Sequence, residues 1–228
     1  DPGASPTFAL EFVPVDAMGY TDTVSIANNT ADSLYTFTVT GTGITPDMEV
    51  REGSVLISSG GGYSFGSIPM NDTASTTLTI EHTGDAGTTM DISAPTLSGT
   101  NADQFVVNSS SMNQQLAQGD TTTFVVGFSA GSAGTYSAVL TIEHNGTSSP
   151  YTINLTAEAL QTYTVSFNVS PADYGSIVQP SGGVSVDMAE GEQITVEVSP
   201  ADGYYFDSWS PAGTGAGVLI FGNENSAT

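Results

Sequence analysis

The sequence predicts an all-β protein: tandem two-sheet antiparallel sandwiches followed by a smaller β-rich domain. Three observations lead there. Thr and Ser are abundant, and 26 Gly and 11 Pro punctuate a 228-residue chain that is 38% hydrophobic. β-branched residues suit pleated surfaces, and the apolar content is too high for a disordered chain. Short alternating runs such as TFVVGFS are separated by turn clusters such as SSGGG, HTGDAG and SAGSAG. The third observation is an internal repeat. Residues 1–43 lie without a gap on residues 117–159, an offset of 116 that superposes Phe8 on Phe124, Phe12 on Phe128, Tyr20 on Tyr136, Ile26 on Ile142 and Tyr35 on Tyr151.

The repeat sets the domain boundaries. Residues 1–43 read as the C-terminal part of a sandwich whose front strands are missing, with TFALEF as a strand. Residues 44–159 read as a complete sandwich. Its expected strands are MEVREGSVLI, STTLTIEH, TMDISAPTLSG, QFVVNSS, TTTFVVGFS, YSAVLTIEH and YTINLTAEA, with SMNQQLA as the one helix candidate. From residue 160 the pattern changes. VSPADYG recurs as VSPADGY 29 residues later, amid the strand candidates YTVSFNV, SIVQP, GVSVDM, QITVEVS and YYFDSW. The final VLIF has no obvious closing strand, so residues 160–228 read as an incomplete small β domain. Without a leader at its start, the chain reads as a mature product or a piece of something longer.

Several stretches of residues 44–159, in order, carry a resemblance: PDMEVREGSVLI, YSFGSIPMNDTASTTLTIEHTG, LSGTNADQFVV and LAQGDTTTFVVGFSAGSAGTYSAVLTIEHNGTSSPYTINLTAEA. They resemble the choice-of-anchor D group of bacterial Ig-like domains, relatives of ASH and HYDIN-type sandwiches, and residues 1–43 resemble the C-terminal part of the same unit. Residues 160–228 resemble a divergent internalin-type B-repeat, whose GY-F-W signature falls on Gly203, Tyr204, Phe206 and Trp209. The resemblances imply modules of large prokaryotic surface or secreted proteins, with no shared catalytic site to carry over.

One basic residue, Arg51, faces 24 acids, for a net charge of −23. The acids number 5 in residues 1–43, 11 in 44–159 and 8 in 160–228, so the charge is a property of the whole surface and not of a tail. Such a surface repels phosphate backbones and anionic lipid, excluding nucleic acid as a partner and direct membrane insertion of this segment. It suits an extracellular or cell-surface location, where salt screens the self-repulsion. The absence of Cys and Lys excludes disulfides, thiolate sites, Lys–Asn isopeptide bonds and Schiff bases.

The two histidines stand in matching hexapeptides, TIEHTG (79–84) and TIEHNG (141–146). Glu81–His82 and Glu143–His144 suggest a metal or proton-transfer site, but neighbours on a strand point to opposite faces, so neither pair chelates through both side chains. At the matching place in the first repeat stand Ala27 and Asn28, without either chemical group. The pairs therefore read as strand ends running into turns. No nucleophile elbow is present, and the expectation is a non-enzymatic protein with no catalytic residues. No cofactor is required. Calcium is the one left open, with Asp85, Asn101, Asp103, Asp202 and Asp207 as turn-borne oxygen ligands. Asn-x-Ser/Thr sequons occur at Asn28, Asn71, Asn108, Asn145, Asn154 and Asn168.

The expected role is a structural segment: a stalk, an adhesin spacer, or a building block of an extracellular filament or surface layer. Its partners would be neighbouring modules of the same protein or identical subunits, with strand donation to the half-domain. The rival expectation is a glycan- or host-surface-binding accessory module of an exoenzyme, which requires an exposed platform among Tyr63, Tyr204, Tyr205 and Trp209.

Overall fold

The computed structural model describes residues 7–29, 34–167, 172–179, 185–205 and 207. Among these, antiparallel strands dominate, with two short 3-10 turns (Ala102–Gln104 and Ala172–Tyr174) and no α-helix. No helix among the described residues is long and apolar enough to cross a membrane. The chain divides into two compact units, Asp1–Ala159 and Leu160–Thr228.

The first unit begins with a hairpin of β1 (Gly19–Ala27) and β2 (Leu34–Thr42). The sandwich follows with β3 (Met48–Glu52), β4 (Val55–Leu56), β5 (Gly62–Pro69), β6 (Thr73–His82), β7 (Thr89–Asp91), β8 (Thr96–Ser98), β9 (Phe105–Asn108), β10 (Gln115–Ala117), β11 (Thr121–Ser129), β12 (Gly134–Ile142) and β13 (Tyr151–Leu160). One sheet has the order β4-β3-β6-β11-β9 and the other β5-β13-β12-β8, with β7 and β10 paired separately. Alternation builds the core. Leu78 and Ile80 of β6, Phe124, Val126 and Phe128 of β11, Leu140 and Ile142 of β12, and Ile153 and Leu155 of β13 are all buried. Burying each such side chain contributes about 1.5–3 kcal/mol. At one end Phe128 meets Phe105 (5.1 Å), Phe65 (6.1 Å) and Tyr136 (5.5 Å) in an aromatic cluster.

The repeat governs geometry as well as sequence. Tyr20 pairs with Gly41 and Ile26 with Tyr35 in the first hairpin. Moved 116 positions, these become Tyr136 with Ala157 and Ile142 with Tyr151, the pairs observed between β12 and β13. The Tyr136 hydroxyl donates to the Ser132 carbonyl at 2.7 Å, and the Tyr20 hydroxyl donates to the Asp16 carbonyl at 3.3 Å. Phe12 contacts Tyr20 at 5.6 Å, as Phe128 contacts Tyr136 at 5.5 Å.

One equivalent does not form. TFALEF is expected as a strand, yet Thr7–Pro14 has no strand partner among the described residues. Its counterpart β11 is held between β6 and β9, and residues 7–43 contain no equivalent of either. The consequence is exposure: Phe8, Leu10 and Phe12 are 61, 52 and 46% accessible, against 1, 0 and 2% for Phe124, Val126 and Phe128.

Other expectations also need correction. SMNQQLA is not helical; Gln115–Ala117 is β10, paired with β7, and tertiary pairing overrides the helix propensity of Gln, Leu and Ala. The helical turn lies instead at Ala102–Gln104. MEVREGSVLI is two strands around a turn at Gly53, whose φ of 55° suits glycine. TMDISAPTLSG likewise splits into β7 and β8, and YSFGSIP forms β5 on the edge of the second sheet.

In the second unit β14 (Thr162–Ser166) pairs with β16 (Ser185–Ala189), and β15 (Gly175–Gln179) with β17 (Glu197–Pro200). Tyr204 and Tyr205 of YYFDSW are not in a strand, while Phe206, Trp209 and the VLIF segment lie outside the described residues.

Arg51 lies among acids on the sheet surface. Glu49 and Glu81 are direct cross-strand partners, and the Arg51 guanidinium bonds Glu49 and lies 3.9 Å from Glu81. Arg51→Ala leaves two carboxylates opposed. It is expected to destabilise the first unit by about 0.5–1 kcal/mol, more at low salt and less at high salt, as read by urea unfolding across ionic strength.

Candidate functional site

The two histidine hexapeptides end β6 and β12, which belong to opposite sheets of the sandwich. Both turns close on the segment Thr45–Asp47, where the chain enters the sandwich. His82 is fully buried, and its Nδ1 lies 2.9 Å from the Asp47 carbonyl oxygen. Its Nε2 lies 2.9 Å from the Thr88 hydroxyl, which donates to the Asp85 carbonyl at 2.6 Å. Nδ1 also lies 3.1 Å from the Gly84 nitrogen: carrying the proton, it donates to the Asp47 carbonyl, and without the proton it accepts the Gly84 N–H. The Asp47 carbonyl also receives the Thr83 and Gly84 N–H groups at 2.9 and 3.2 Å, and Asp85 binds Thr45 through both backbone and carboxylate.

His144 repeats one part of the arrangement from the other sheet, the bond from the glycine two residues on. Its Nδ1 accepts the Gly146 N–H at 3.1 Å, and Ser148 donates to the Asp47 carboxylate at 3.3 Å. The neighbouring Asn145 fastens the turn to β7, accepting the Asp91 N–H at 3.0 Å and donating to the Thr89 carbonyl at 3.0 Å. The glycines of EHTG and EHNG have the same steric cause. A Cβ on Gly84 would fall 2.3 Å from the Asp47 nitrogen and 2.7 Å from the Thr45 oxygen; one on Gly146 would fall 2.7 Å from the Pro46 oxygen. The hexapeptides are thus two jaws of a clamp on the entering chain. Glu81 and Glu143 lie apart, on the faces away from the rings: Glu81 toward Arg51, Glu143 accepting from Ser149.

Burial holds the His144 ring below its ordinary value, against the upward pull of Asp47, Glu143 and a backbone bond at Ser148. Nε2 is buried without a protein partner, and a proton on Nδ1 would displace the Gly146 N–H. A lowered pKa means the unfolded chain binds the proton first. The stabilising contribution is therefore complete above about 6.5 and lost as pH falls from there toward the folded value. The first repeat suggests the control, because Asn28 stands at the His144 position and an Asn oxygen can accept the same glycine N–H. His144→Asn is expected to fold and to lose less melting temperature than the parent between pH 7.5 and pH 5, as read by calorimetry.

The calcium candidates are placed as turn residues. Asp85 accepts the Thr45 N–H, Asn101 accepts the Ser137 N–H at 3.2 Å, and Asp103 accepts from the Gln104 amide at 3.0 Å. Asp202 and Asp207 belong to the other unit and are exposed. Among the described residues, no three His, Asp or Glu side chains converge as a metal site would require.

Tyr63 is half-buried, edge-on to Phe65 at 5.1 Å beside the core. In the second unit Tyr174 and Tyr204 stack with centroids 4.4 Å apart, at 47 and 50% exposure, and Tyr205 is 84% exposed. Tyr174 was not foreseen as part of a platform; its partner is 30 residues away, and only the pairing of β15 with β17 brings the two flanks together.

Residues 163–228 match the family described as the divergent InlB B-repeat domain. A search of the curated proteins finds no match. Among solved structures, the chain is similar to PapD-like domain 7 of human CEP192, an ASH domain, at 14% identity and a TM-score of 0.34, covering 50% of this chain and 85% of that one. It is also similar to a family 123 glycoside hydrolase from Clostridium perfringens, at 7% identity and a TM-score of 0.36, covering 51% of this chain and 27% of the hydrolase. Likenesses this distant carry no argument about activity.

Proposed function

We propose that the chain is a non-enzymatic structural segment of a large secreted or surface-attached prokaryotic protein, built from choice-of-anchor D-type sandwiches and a B-repeat. The observation that carries this reading is the clamp. The most chemically suggestive residues of the sequence, His82 and His144, serve the two turns that close on the entering chain: the His82 ring lies against the Asp47 carbonyl, and the His144 ring accepts the Gly146 N–H of a turn whose Ser148 bonds Asp47. A spacer or stalk needs that, since a module loaded through its ends is held by the bonds at its entrance. The match to a B-repeat and the diffuse acidic surface support an extracellular setting.

In this reading residues 7–43 form the back part of a sandwich, and the strands covering Phe8, Leu10 and Phe12 come from other polypeptide, a neighbouring module or an identical subunit. Pulling the chain between its ends in a single-molecule experiment tests the structural role. Residues 44–159 should open in one cooperative step, releasing on the order of 400 Å of chain. Gradual extension without such a step would remove the basis for a load-bearing module.

A second reading is favoured by one observation: the exposed Tyr174, Tyr204 and Tyr205 offer rings to a sugar face. A glycan array probed with the full chain and with Tyr205→Ala decides it. Binding that is lost in the variant supports an accessory module, and no binding to any glycan rejects it.

A further inference from the structure

We propose that Asn108 is an N-glycan acceptor, with Asn71 a second, and that the two glycans cover one exposed edge of the sandwich. The sequence offers six sequons without ranking them, and the structure sorts them by what each carboxamide does. Asn145 and Asn154 are engaged: the Asn145 Nδ2 donates to the Thr89 carbonyl at 3.0 Å, and the Asn154 Nδ2 donates to the Gly60 carbonyl at 2.9 Å. Leu155, the middle residue of the Asn154 sequon, is fully buried in β13. Thr30 of the Asn28 sequon and Asn168 lie outside the described residues.

Asn108 is different. It is exposed at the end of β9, and its Oδ1 accepts both the Ser110 N–H at 3.2 Å and the Ser110 hydroxyl at 2.8 Å. The sequon's own hydroxyl thus polarises the carboxamide through its oxygen and leaves the Nδ2 hydrogens to solvent. Asn71 is also exposed, in the turn between β5 and β6, with φ of 67° and its sequon Thr73 exposed at the start of β6. Both sequons border one shallow apolar trough, lined by Thr73, Ala74, Val106, Asn108, Val125 and Gly127.

That trough is where cover is needed. β9 is an edge strand without charged residues, and Val106, on the same face as Asn108, is 63% exposed. Edges are commonly blunted by Lys, and this chain has none. A glycan is a neutral alternative that adds bulk and solubility at the same place.

The reaction takes a glycan carried on a polyprenyl pyrophosphate. The Asn108 Nδ2 forms a bond to the sugar C1, the C1–O bond to the carrier breaks, and the pyrophosphate leaves with the electron pair. One amide proton passes to a base of the transferring enzyme. Only the meeting with such a donor rests on the extracellular reading; the acceptor geometry stands apart from it.

The test uses the folded full chain with a purified oligosaccharyltransferase and lipid-linked glycan, followed by peptide mapping. A free peptide spanning residues 105–113 shows that the enzyme is active. The expected result is glycan on Asn108 and Asn71, with Asn145 and Asn154 unmodified. Asn108→Gln and Asn71→Gln should each remove one glycan mass, and Ser110→Ala should reduce Asn108 occupancy to background. An unmodified Asn108 in the folded chain, under conditions that modify the peptide, overturns the proposal. Equal occupancy at Asn145 and Asn154 overturns it as well.

Discussion

Gly84→Ala is expected to destabilise the first unit by about 3 kcal/mol. The added methyl group would meet backbone atoms of Thr45, Pro46 and Asp47 and no flexible side-chain tip, so nothing can rotate away. Relief requires the entering segment to shift, which breaks the bonds of Thr83 and Gly84 to the Asp47 carbonyl and draws that carbonyl off the His82 ring. Thr83→Ala, one residue earlier and exposed, is the control, with an expected change within about 0.5 kcal/mol. Urea unfolding of both variants measures the difference. Equal stability would mean that the turn does not grip the segment.

Phe128→Ala and Phe12→Ala form the second pair. The two residues are equivalent in the repeat and contact equivalent tyrosines, but only Phe128 is enclosed. Phe128→Ala is expected to cost about 3–5 kcal/mol, through lost transfer energy and the cavity left behind. Phe12→Ala in the same chain should cost less than about 1 kcal/mol, because a half-exposed ring leaves no enclosed cavity. Thermal unfolding of the two variants, compared with the parent, reads the contrast. A large loss for Phe12→Ala would show that Phe12 is already covered in the chain.

What was legible in the sequence follows the range of the interactions. Alternation in TFVVGFS and YTINLTAEA is local, and it correctly marked β11 and β13 and their buried faces. The offset of 116 was legible too, and it carried the register of a hairpin not otherwise readable from residues 19–42. TFALEF failed because a strand is a relation between segments, and its alternation says nothing about whether partners are present. SMNQQLA failed for the converse reason: local propensity favours a helix, while Met90 and Asp91, some 25 residues away, supply a strand partner.

The histidines were read as strand ends from strand alternation and the repeat, yet the reason for the glycines after them was invisible. It lies in Thr45–Asp47, nearly 40 residues before one turn and 100 before the other. The sequons show the same limit. Their pattern is three residues long, but the state of each amide depends on carbonyls such as those of Thr89 and Gly60, in other strands or turns.

The central claim is that residues 7–43 are the back part of a module whose covering strands come from other polypeptide. Amide hydrogen exchange on a fusion tests it most directly, with a second copy of residues 44–116 placed immediately before residue 1. The repeat offset makes that join equivalent to the native one at residue 117. In the chain alone, the amides of residues 8–12 should exchange at open-chain rates while those of β11 are protected. In the fusion, residues 8–12 should become as protected as Phe124–Phe128. Unchanged exchange at residues 8–12 in the fusion, or full protection in the chain alone, would contradict the account.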